Sequence, residues 1–124
     1  MNGYKTYFKS IDTEIDYYLK SGQLGSAAIV AYQTGRTGLA EKVGSEVINE
    51  LLRPEVLSIK RINDAVLLAT QIGWVDRAVS IYEDREFFLD AAKLARRFGL
   101  EERALENYRT AISREMSLGD HKPA

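Results

Sequence analysis

Apolar side chains recur along this chain at three- and four-residue intervals almost everywhere, and no stretch alternates in the period of two that a strand requires. The pattern predicts an all-α fold of about seven helices. The first is expected over about 4–20, where Tyr4, Phe8, Ile11, Ile15 and Tyr18 form one stripe and Gly22 ends it. A second follows Ser26, read as its N-cap, and stops near Gly35. A third covers about 38–52 and breaks at Arg53-Pro54, because proline lacks a backbone donor. Ile59, Ile62, Val66, Ala69 and Ile72 share one face of a fourth, closed by Gly73. A fifth spans about 75–83, with the charged run Glu83-Asp84-Arg85-Glu86 as the next turn. A sixth and a seventh, about 87–98 and 101–117, are divided at Gly99. Connections this short make neighbouring helices antiparallel, so the helices should stack as hairpins.

Four glycines carry a repeat. Gly22, Gly35, Gly73 and Gly99 are each followed five residues later by alanine: Ala27, Ala40, Ala78 and Ala104. Glycine closes the leading helix, and alanine lets the next one approach at close range. The expected organisation is one helical-repeat domain over 1–117: an aromatic-rich first helix (1–21), repeat-like hairpins (24–116), and a flexible tail (118–124) bracketed by Gly119 and Pro123.

The last unit, FLDAAKLARRFGLEERALENYRTAI, resembles a tetratricopeptide repeat. Ala92 and Gly99 stand at the small sites, Phe88 at the large aromatic site, and Ala104, Tyr108 and Ala111 run down the second helix. The preceding unit keeps Ile62, Gly73, Ala78 and Tyr82, but has Val66 at the first small site and Arg85 where a small residue belongs. Around Gly35, Ala28 and Ala40 are kept while Gly44 replaces an aromatic; Ala31, Ala69 and Ala95 replace the bulky residue expected four before each glycine. Gly35 to Gly73 is 38 residues and Gly73 to Gly99 is 26, whereas the family's period is roughly 34. The resemblance covers about 24–116 and implies an α-solenoid that binds a peptide or partner helix on its concave face. It places Lys60, Asn63, Lys93 and Arg97 on that face, where basic and asparagine side chains can clamp a carboxylate.

Charge changes this picture little. Lys plus Arg number 17 and Asp plus Glu 18, so no net field draws in nucleic acid or an anionic membrane. With 45% hydrophobic and 28% charged residues the chain should fold by itself. It has no cysteine, hence no disulfide framework or thiol nucleophile, and the cytoplasm is the expected compartment. No run of roughly 18 apolar residues marks a membrane span.

Chemistry of the catalytic kind finds few parts. His121 is the single histidine and falls in the tail, and the glycines sit singly, away from any strand. Carboxylate pairs such as Glu46 with Glu50, or Glu102 with Glu106, lie one turn apart without a converging third group. No enzyme, metal site or cofactor is expected.

The expected function is a protein-interaction module. Lys93, Arg96 and Arg97 share the outer side of the sixth helix with Arg103 nearby, although Glu101, Glu102 and Glu106 are close enough in sequence to neutralise them. One alternative is nucleic-acid binding by these arginines, without an aromatic stacking platform beside them. Another is a structural homo-oligomer, most simply a homodimer, through outward rings of the first helix, Tyr7 and Tyr17.

Overall fold

The structure, a computed structural model, describes residues 9–120 and the side chains of 9–117. Among the described residues it holds seven α-helices and no strand: α1 (Ile11–Lys20), α2 (Leu24–Gln33), α3 (Thr37–Leu51), α4 (Ile59–Gln71), α5 (Val75–Asp84), α6 (Phe88–Arg97) and α7 (Glu101–Asp120). A single 3-10 turn, Pro54–Val56, follows α3 at the Arg53-Pro54 break. The helices gather into two compact units, Met1–Trp74 and Val75–Ala124, each taken by itself below. In each, consecutive helices pack on one another.

Three boundaries differ from the pattern's expectation, one of them the end of the seventh helix, which runs to Asp120 instead of about 117 and so takes in the start of the expected tail over 118–124. The first helix among the described residues begins at Ile11, because the Ser10 backbone is extended and its hydroxyl accepts the Thr13 N–H at 3.1 Å, making Ser10 an N-cap. Tyr4, Tyr7 and Phe8 lie outside the described residues. The second helix begins at Leu24, so Ser26 is its third residue and caps nothing. No side-chain cap is used there, since the preceding turn already sets the chain on course.

That turn is the unit of construction. Gly22, Gly35, Gly73 and Gly99 all take the left-handed conformation, with φ of 80°, 83°, 81° and 80°. In each case the next residue donates its N–H to the carbonyl five back: Gln23 to Tyr18 (2.8 Å), Arg36 to Ala31 (2.7 Å), Trp74 to Ala69 (2.8 Å) and Leu100 to Ala95 (2.8 Å). A fifth copy stands at Glu86, with φ of 64° and the bond from Phe87 to Tyr82 at 2.9 Å. The charged run turns the chain as the sequence predicts, but glutamate conceals which design it uses. With Glu86 included, left-handed residues fall thirteen apart at 22 and 35, and again at 73, 86 and 99. A ten-residue helix and a three-residue turn make that period, and α1, α2, α5 and α6 are all ten residues long.

The thirteen-residue register decides the core. Ala27, Ala65, Ala78 and Ala91 each stand eight residues before a left-handed residue and are all 0% exposed; Glu14 occupies the same place in α1 and is 2% exposed. Ala40 and Ala104, five after Gly35 and Gly99, complete the row at 3%. Without bulk at this position the helix axes approach closely.

In the first unit α3 and α4 meet at Gly44, where a Cβ would stand 2.6 Å from Ile72 Cδ1 and 3.7 Å from the Trp74 ring. The aromatic absent at position 44 is thus supplied by Trp74. Arg61 ties the same pair, its guanidinium donating to the Leu51 carbonyl at 3.0 Å and to that of Glu50, which satisfies carbonyls left open at the end of α3. Tyr32 of α2 lies over Gly73, at 2.5 Å from where a Cβ would be. In the second unit Val79, Ala91, Ala95 and Ala104 form the core, flanked by Tyr82, Leu94, Leu100 and Tyr108. Full burial of Val79 alone contributes roughly 1.5–3 kcal/mol.

Two substitutions test the turn. Glu86→Gly should raise stability by about 1 kcal/mol, because it relieves a left-handed side chain and gives up only an exposed ion pair with Arg114 (2.8 Å; 52% and 62% exposed). Gly73→Ala should cost ~2–4 kcal/mol, combining the same strain with overlap against the Tyr32 ring. Urea unfolding midpoints that move in the opposite directions would refute this assignment.

Candidate functional site

The outer face of α6 carries a cluster of cations that form no ion pair among the described residues. Ala91, Ala92 and Ala95 turn inward, each fully buried. Leu89, Lys93, Arg96 and Arg97 recur at three- and four-residue spacing on the opposite side and are all exposed. Arg96 and Arg97 end the helix, where the dipole favours cations, and the Arg97 guanidinium lies 5.6 Å from the Phe98 ring. Phe98 itself is 42% exposed.

None of the ion pairs among the described residues involves Lys93, Arg96 or Arg97. Glu101, Glu102 and Glu106, near enough in sequence to neutralise them, form no ion pair with them. The three cations therefore keep their donors free.

Arg103 behaves otherwise. It leaves the basic cluster and turns to α5, where its Nε and Nη2 grip both oxygens of Glu83 at 3.1 and 2.7 Å. Nη2 also donates to Ser80 Oγ at 2.7 Å, and Nη1 lies 3.3 Å from Asp76. The buried Asn107 amide donates to Glu83 Oε2 at 2.6 Å and to the Arg103 carbonyl at 2.9 Å. A bidentate pair with a third donor is a strong, directional arrangement. Arg103 donation holds the Glu83 carboxyl below the usual carboxylate range; partial burial opposes this and the Asn107 amide adds to it. This clamp joins α5 to α7, and the hydrophobic pattern does not reveal it. A signal exists all the same, since Asn107 stands 26 residues after Ile81, a core position of α5, and a polar side chain in a core register calls for a partner. An open hollow of about 720 Å³ lies beside the clamp, bordered by Phe88, Leu100, Glu106 and Thr110.

Lys60 and Asn63 stand on the exposed side of α4, in the first unit. Lys60 is paired with Asp64 at 2.8 Å, and the two are one turn apart. So exposed a pair is worth little and can be given up. Tyr17 is 51% exposed on α1, its ring edge-on to Tyr18 at 5.8 Å; Tyr7 lies outside the described residues.

Among the described residues no helix is long and apolar enough to cross a membrane. No protein-family model, curated protein or solved structure matches the chain.

The clamp gives a pH-dependent prediction. Because the folded carboxyl of Glu83 titrates below its unfolded value, its contribution is complete above the unfolded carboxylate range near ~4.3 and is lost as pH falls through the lowered folded value. Glu83→Gln should therefore cost about 2 kcal/mol at pH 7 and much less at pH 2. An equal loss at both pH values, read by urea unfolding, would remove the ionic role.

Proposed function

We propose that this chain is a protein-interaction module whose α6 outer face receives an acidic segment of a partner protein. Lys93 and Arg97, one turn apart, grip carboxylates on the partner, and Arg96 supplies a third donor set. Exposed Leu89 and Phe98 give the segment apolar footing on either side. The observation that carries this reading is three cations on one short helix with no acid partner among the described residues. Like charges so close on one helix repel one another, and an acidic partner relieves that repulsion.

The tetratricopeptide-like reading of the α6–α7 hairpin supports peptide binding as well. Phe88, Ala92, Gly99, Ala104, Tyr108 and Ala111 keep that family's pattern, on a unit repeating at 26 residues where the family's repeat is roughly 34. Lys60 and Asn63 belong to the other unit, and the proposal rests on α6 alone.

Affinity capture from nuclease-treated cell lysate tests it, wild type beside Lys93→Glu/Arg97→Glu. Both positions are exposed, so circular dichroism should be unchanged while a specifically retained protein is lost, a drop of at least about tenfold in affinity, or ~1.4 kcal/mol. Equal retention by the double variant would contradict the assignment.

A further inference from the structure

The outer face of α7, the last described helix, is one that its own register marks as a packing face. Leu105 stands 26 residues after Val79 and Tyr108 stands 26 after Tyr82, so α7 repeats α5 position for position. Val79 is 0% exposed, because α6 brings Ala91 and Ala95 against it and α7 brings Ala104. Leu105 is 50% exposed. Ile112 and Met116 continue its stripe along α7 at 59% and 65% exposed.

Among the described residues no further helix covers this face. Ile112 occupies the place, thirteen after Gly99, where the preceding units carry a left-handed residue, and α7 runs straight through it to Asp120. Beside Leu105 lies a hollow of about 340 Å³, formed by Arg96, Ala104, Leu105 and Tyr108 and rimmed by Glu101 and Glu102.

We infer that the α7 outer face receives a helix from a partner protein that takes the place of the next repeat helix. Its chemistry follows from the helix that covers α5. It presents small residues at i, i+1 and i+4, as Ala91, Ala92 and Ala95 do, so that Leu105 and Tyr108 can approach its backbone. It carries a basic residue at the flank, opposite the exposed Glu101, Glu102 and Glu106, which hold no ion pair among the described residues. Arg96 borders the hollow beside Leu105, whereas Lys93 and Arg97 do not line it, and the inference does not rest on those two cations.

The test titrates the full chain with a peptide of residues 88–100, locked helical by a lactam bridge on its outward side because so short a helix is marginal alone. Saturable binding is expected. It should weaken at least tenfold for Leu105→Glu/Ile112→Glu, two exposed positions whose folding circular dichroism confirms, and for a peptide carrying Ala91→Leu/Ala95→Leu. Lys93→Glu/Arg97→Glu in the chain should bind the peptide as wild type does, which separates this face from the acidic-segment site. Absence of saturable binding, or equal affinity of the Leu105→Glu/Ile112→Glu chain, would overturn the inference. So would a Leu105-dependent dimer in sedimentation without affinity for the peptide, since the occupant would then be a second copy of the chain.

Discussion

A left-handed residue at the end of a helix, locked by a hydrogen bond from the next residue to the carbonyl five back, is the constraint on which this fold depends. The bond satisfies carbonyls that a helix end leaves open and reverses the chain within three residues. Because the turn is the same at Gly22, Gly35, Gly73, Glu86 and Gly99, the helices between close pairs of turns have one length and one phase. Identical phase then places the same register position of every helix at the interface, whatever the rest of its sequence.

Alanine at that position lets consecutive helices within each unit pack closely. Six of the seven helices carry it, and none of these alanines is more than 3% exposed. Glu14 is the exception. Its Oε2 accepts the Tyr18 hydroxyl at 3.3 Å, while Oε1 has no hydrogen-bond partner, a buried deficit that costs ~1–3 kcal/mol. Gly44 and Gly73 show the same economy of space at two further contacts, where Ile72 and Tyr32 occupy the room a side chain would need.

Helix number, type and most boundaries are legible in the sequence, because hydrophobic period and glycine punctuation report on local backbone. The thirteen-residue period is hidden by one residue: Glu86 takes a conformation that glutamate rarely adopts, so only four of the five turns announce themselves. Ser10 and Ser26 illustrate a different limit. Both have the chemistry of an N-cap, and which one caps depends on whether a turn of fixed geometry already precedes the helix. For the candidate site, helical spacing puts Lys93, Arg96 and Arg97 on one face. It cannot say which arginine the acids claim. Arg103 goes to Glu83, twenty residues away, because α5 and α7 flank the same core, while the α6 cations form no ion pair among the described residues.

The functional reading grows from the same register. Fixed phase puts the alanines of α6 inward and therefore its cations outward, while on α7 it leaves Leu105 uncovered. The most direct measurement compares urea unfolding of Ala91→Leu with Lys93→Leu, the same residue introduced on opposite faces of one helix. Close approach at the alanine row predicts a loss of ~1–3 kcal/mol for Ala91→Leu and a change within about 0.5 kcal/mol for Lys93→Leu. Equal unfolding midpoints for the two variants would contradict it.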